Sequence, residues 1–230
     1  MPRVRAIVLV LGLLTGVFVG AAPIQSASAG SLVLLNPCGD FAYHLNGSRW
    51  TTTLRWSFRA LSTPKGVRRG AAAAALQRAA RNIVTGHNNC DLADRISATE
   101  RYLGRTTSPT DINDDATCGT PDGRNEVGFG RLPATDMALT CWWTRNGHTV
   151  EADVKLNKAF FSWTARVRPG CSLTWSIEDV ATHEFGHAFG LDHVAEVPHG
   201  NLTMSPFIAP CQNGETTLGL GDIRGLERKY

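Results

Sequence analysis

A chain of 230 residues, 43% hydrophobic and 19% charged, is long enough for one domain with a sizeable core. Its formal net charge of +3 is small, and two of its basic residues, Arg3 and Arg5, fall in the first 29 positions, where there is no acid. The remainder carries +1, which leaves no electrostatic case for binding nucleic acid or a membrane surface.

Residues 1–29 read as an export leader. Arg3 and Arg5 give a basic start, residues 6–22 an apolar run, and Ser26-Ala27-Ser28-Ala29 a small-residue cleavage site. The apolar run holds Gly12, Gly16 and Gly20 and is at the short limit for a membrane span. Residues 30–230 are then the expected mature protein: one secreted domain, monomeric and off the membrane once the leader is removed. It contains Cys38, Cys90, Cys118, Cys141, Cys171 and Cys211. An even number in an exported chain implies disulfides. Fifteen connectivities are possible and the sequence does not choose among them. The working pairing is Cys38–Cys90, Cys118–Cys141 and Cys171–Cys211.

Residues 51–58 (TTTLRWSF) alternate Leu54, Trp56 and Phe58 with polar residues, as a half-buried strand does. Residues 66–85 are alanine-rich, with Leu76, Ile83 and Val84, and predict a long helix laid against a sheet. Residues 99–103 are a weak strand candidate. Residues 104–124, rich in Gly, Asp, Thr and Pro, read as a long loop. Its acids Asp111, Asp114, Asp115 and Asp122 make Ca²⁺ possible, but their spacing fits no EF-hand and a solvated loop is the better reading. Strands are expected at 125–129 (NEVGF), 137–143 (MALTCWW) and 150–156 (VEADVKL), the last following the turn signal Asn146-Gly147. The tail, 218–230, predicts a closing helix with Ile223, Leu226 and Tyr230 on one face and Asp222 at its start.

Between these lies the stretch that carries chemistry, His183-Glu184-Phe185-Gly186-His187-Ala188-Phe189-Gly190-Leu191-Asp192-His193. Ser176 can cap its helix, with Glu178 and Asp179 in the first turn where the macrodipole favours acids. Histidines four residues apart project from one helix face, so His183 and His187 can reach one ion. Glu184 is turned about 100° from His183, placed to act on a water and not to ligate the metal. Gly190 suits the left-handed turn that ends a helix. The chain can then return with His193 as a third ligand, leaving the fourth position of Zn²⁺ open, as in catalytic sites. Asp192 reads as a turn residue, since three imidazoles already complete the protein's share of the site.

This eleven-residue pattern, with Met204 eleven positions after His193 and Pro206 two further on, resembles the metzincin zinc endopeptidases and within them the matrixin branch. The resemblance implies an α+β fold: a twisted, mostly parallel sheet with an antiparallel edge strand, a long helix, an active-site helix, a Met turn and a C-terminal helix. It implies a zinc-dependent endopeptidase acting on proteins or peptides, with Glu184 as general base and Met204 as a floor beneath the imidazoles. Extended substrates would pair with the strand at 137–143, making Leu139 and Thr140 candidate contacts, while Pro206 and Phe207 would wall the pocket beyond the cut. Asp222 would buttress the Met turn.

The chain departs from the family in two respects. Many animal matrixins hold a second, structural zinc on His residues and an Asp. Here Asp153 aligns, but Lys155 stands where His is wanted, and His44, His87, His148 and His199 form no matching cluster, so one zinc is expected. Pro37-Cys38-Gly39-Asp40 and Cys118-Gly119-Thr120-Pro121-Asp122 echo a latency cysteine, but a free thiol at either would leave an odd Cys, and disulfides are the better reading. Two rival functions remain open: a secreted zinc-binding interaction domain without activity, against which Glu184 speaks, and a hydrolase of bonds other than peptides.

Overall fold

The computed structural model describes the strand Arg3–Val10 and residues 35–230; the rest of the expected leader, with its cleavage site, lies outside the described residues. In chain order the strands are β1 (Arg3–Val10), β2 (His44–Leu45), β3 (Leu54–Phe58), β4 (Glu100–Arg105), β5 (Glu126–Gly130), β6 (Asp136–Arg145), β7 (His148–Asn157), β8 (Trp163–Thr164), β9 (Trp175–Ser176) and β10 (Leu191–Asp192). The helices are α1 (Arg69–Val84), α2 (Ile177–Ala188), α3 (Glu196–His199) and α4 (Leu220–Lys229). The main sheet runs β1-β6-β7-β5-β3-β4. Pairings among β4, β3, β5 and β7 are parallel, and β6 lies antiparallel to β7. This is the mostly parallel sheet with an antiparallel strand that the resemblance implied, with β1 added antiparallel along β6.

One sheet face carries the main core. β3 buries Leu54, Trp56 and Phe58 and exposes Arg55, the alternation a strand with one buried face must show. Against it lies α1, which starts at Arg69 because Gly66 is left-handed (φ 90°) and Val67 N–H closes a turn on Pro64 O. Ala72, Ala75, Leu76, Ala79, Ala80 and Ile83 recur at helical spacing and are fully buried. These small side chains let α1 approach α2, where Arg78 pairs with Glu178 at 2.6 Å and Asn82 donates to Thr182 at 3.2 Å. Both pairs are 100 residues apart, so the two helices run side by side in the same direction.

The opposite face is covered by residues 106–124. The loop is not merely solvated: Cys118 is bonded to Cys141 of β6, and Ile112 packs with Leu132, Leu139, Cys141 and Trp143. Its backbone donates to acids projecting from the sheet, Asp111 N–H to Asp153 and Gly123 N–H to Glu151, each at 2.5 Å. The six cysteines pair as Cys38–Cys90, Cys118–Cys141 and Cys171–Cys211. The hairpin between β6 and β7 turns on Asn146 (φ 52°) and Gly147 (φ 82°), the double left-handed turn that matches strand twist. No helix among the described residues is long and apolar enough to cross a membrane.

Candidate active site

The site is built on α2, of which every residue but Glu178 is buried. Ser176 Oγ accepts the Asp179 N–H at 3.3 Å, and Glu178 and Asp179 occupy the first turn. The helix closes at Phe189, and Gly190 follows in the left-handed region (φ 104°). A side chain at Gly190 would also lie 2.6 Å from Ser48 O, so the tight exit needs glycine twice over. β10 then pairs with β2 and delivers His193 back towards the helix.

His183, His187 and His193 converge. Their Nε2 atoms lie 3.0 Å apart for His183–His187 and His183–His193, and 3.1 Å for His187–His193. His183 Nδ1–H donates to Thr203 O at 2.7 Å and His187 Nδ1–H to Leu191 O at 3.0 Å, which leaves each Nε2 as a lone pair. Burial pushes the His183 imidazolium down to about 3, and lowers that of His187 well below and that of His193 below the usual range. Three neutral nitrogens facing one point would repel one another without a shared cation. Their separations approach the roughly 3.3 Å that tetrahedral ligation at about 2.0–2.1 Å requires. The donor set therefore fits zinc.

Support for the triad comes from the C-terminus. Asp222, in the first turn of α4, accepts the N–H groups of Thr203 (3.0 Å), Met204 (3.3 Å) and Gly219 (2.9 Å). Thr203 O in turn holds His183, and Met204 O accepts the Val194 N–H at 3.1 Å, beside His193. Met204 packs under the helix against Gly186, where any Cβ would collide with its Sδ.

Glu184 is fully buried beside the triad. Thr140 Oγ1–H donates to its Oε2 at 2.5 Å, while Oε1 has no partner among the described residues. Burial raises its carboxyl to about 8, with the Thr140 hydrogen bond opposing; a cation held by the triad would bring it down again and keep the carboxylate ionised. Leu139 points the other way, into the cluster under the 106–124 loop. Pro206 is half-buried and Phe207 39% exposed just beyond the Met turn. Asp192 accepts the His193 N–H at 2.8 Å, a turn role.

Where a second zinc would be sought, Asp153 is taken by backbone N–H groups, and Lys155 donates to Ile112 O and Asp114, both at 2.8 Å. Elsewhere, Asp111, Asp122 and Glu151 bring carboxylate oxygens within 4.8 Å of one another. His199 pairs with Asp40 at 2.8 Å.

Three supporting residues escape sequence reasoning. Asn46 donates to His187 O (2.9 Å) and Leu191 O (2.7 Å), while Ser48 (2.5 Å) and Trp50 (3.0 Å) both donate to Ala188 O. They satisfy the carbonyls left open at the end of α2 from about 140 residues away, and nothing local in NGSRW signals that contact. The matrixin family model (Peptidase_M10: Matrixin) matches residues 96–230, which include Thr140, the triad, Glu184 and Met204. A search of curated proteins finds no match.

Proposed function

The chain belongs to the matrixin family of zinc endopeptidases, and we propose that it is a secreted member that hydrolyses peptide bonds, its residues 30–230 forming one monomeric catalytic domain. The observation that carries this reading is the convergence of three imidazole Nε2 atoms beside a buried carboxylate with one unpartnered oxygen. His183, His187 and His193 would hold a single zinc. When bound, zinc supplies a Lewis acid that lowers the pKa of a water to about 7 and polarises a carbonyl. Glu184 accepts the proton of the attacking water on Oε1 and passes it to the departing amine. No covalent intermediate with the protein is needed, so no nucleophilic Ser or Cys is called for. Met204 and the Asp222 network hold the imidazoles in place.

Substrate would lie extended along β6, paired through backbone groups. The same edge accepts β1, with Val8 opposite Leu139 and Ile7 opposite Thr140, which supports its capacity to take an added antiparallel strand. Leu139 and Thr140 would therefore meet substrate through their main chains, since both side chains are buried. Pro206 and Phe207, half-buried and exposed just beyond the Met turn, would wall the pocket after the cut. Three disulfides accord with an extracellular setting.

The test is cleavage of casein or gelatin by the mature protein, abolished by a chelator. Glu184→Ala should bind zinc stoichiometrically while kcat falls about 10²- to 10⁴-fold. A wild-type protein that binds one zinc but cuts no member of an unbiased peptide library would overturn the proposal.

A further inference from the structure

Thr140 lies on β6, 44 residues before Glu184 in sequence, and its side chain is fully buried. Its hydroxyl has a single proton and two acceptors in reach, Glu184 Oε2 at 2.5 Å and the Glu184 carbonyl oxygen at 3.1 Å. The shorter contact is to a carboxylate, and hydrogen bonds to ionised groups are the stronger kind. A glutamate has three side-chain torsions to fix. No other hydrogen bond holds the Glu184 carboxyl among the described residues, and its Oε1 is orphaned.

The same residue occupies a defined place on β6, the strand along which the substrate would lie. Its backbone stands opposite Ile7 of the added strand on one side and Val154 of β7 on the other. We propose that Thr140 is a positioning residue: its hydroxyl fixes the carboxylate of Glu184 so that Oε1 faces the reacting water, while its backbone sets the register of the substrate strand. One residue thereby aligns the base with the bond to be cut. A slip of the strand by one residue would present the opposite face of the substrate, so a single anchor shared by base and docking edge ties chemistry to register. This inference rests on the endopeptidase reading with Glu184 as base.

The experiment compares Thr140→Val, Thr140→Ser and Glu184→Gln in the full mature chain, reading kcat and KM on one peptide together with zinc stoichiometry. Thr140→Val keeps the shape and removes the proton donor, and kcat should fall about 10- to 100-fold, the value of one charge-assisted hydrogen bond, with KM and zinc content unchanged. Thr140→Ser keeps the hydroxyl and should restore most of kcat. An unchanged kcat in Thr140→Val overturns the proposal, as does a loss confined to KM, or a Thr140→Ser protein as impaired as the valine variant. Should valine prevent folding, Thr140→Cys, with its weaker donor, replaces it and should give an intermediate kcat; a wild-type value there counts against the role. An active Glu184→Gln would instead sink the general-base reading, which separates the two failures.

Discussion

Gly186 shows how one absent methyl group can organise a metal centre. It sits between the two histidines of α2, and a Cβ there would run into Met204 Sδ and lie 3.3 Å from its Cε. Met204 is buried, so moving its thioether aside would disturb the packing around it. Gly186→Ala should therefore cost about 1–3 kcal/mol through overpacking and weaken zinc binding by displacing the floor of the site. Thermal unfolding with and without zinc reads both effects; a variant of wild-type stability and affinity would mean that Met204 repacks freely. A second residue-level prediction concerns Asp179, fully buried with the Glu215 carboxyl beside it. Burial, then the neighbouring Glu215, raises its carboxyl to about 9 from 3.8. The folded state thus holds this proton where the unfolded chain has lost it. The stability it contributes is whole below pH 3.8 and drains away as pH rises through about 9. Asp179→Asn removes that titration, so its melting temperature should fall less than wild type's between pH 5 and 9. Parallel curves would show that the proton is not held.

At the scale of elements, α4 matters more for what its first turn accepts than for the face it packs. Asp222 gathers three N–H donors, and the Met turn hangs from two of them. Asp222→Ala would leave buried donors unpaired, at roughly 3 kcal/mol or more, whereas Asp222→Asn keeps one acceptor oxygen and should lose less. Urea denaturation ranks the two, and equal losses would show that α4 packing, not acceptance, supports the turn. The core of α2, the alanine face of α1 and the alternation of β3 were legible because each is a local period in the sequence. Element ends were less so: the strand expected from residue 51 begins at Leu54, and β6 and β7 reach on to Asn146-Gly147 because pairing, not composition, extends them. The loop at 104–124 leaves most of its acids in solvent, as its composition implies, but its anchoring to Cys141, Glu151 and Asp153 is not legible because those partners lie on strands that follow it. The triad needed only eleven residues to be read. Thr140, Asn46, Ser48 and Trp50 act across 44 to about 140 residues of chain, and no local pattern reports such contacts.

For the whole molecule, the disulfides divide the work of holding the fold closed. Cys38–Cys90 ties the segment before β2 to the loop after α1 across 52 residues, Cys171–Cys211 joins the approach to α2 to the loop beyond the Met turn across 40, and Cys118–Cys141 pins the covering loop across 23. Chain-entropy arguments assign them about 4, 4 and 3.4 kcal/mol respectively. Their sum is comparable to the roughly 5–15 kcal/mol that stabilises a typical domain, so the fully reduced chain should lose its cooperative transition. Single-pair removals are more telling. If unfolded-state entropy governs, Cys118→Ser/Cys141→Ser should be the mildest of the three. Cys141, however, neighbours Thr140 on β6 and is fully buried under the loop that Cys118 anchors. Releasing that loop exposes Ile112 and the outer sheet face, so this pair should cost more activity per degree of lost melting temperature than either of the others. Melting curves and kcat measured on the three double-serine proteins test both statements together. Activity losses that simply track stability across all three would show that the loop protects the fold without governing the strand that carries Thr140.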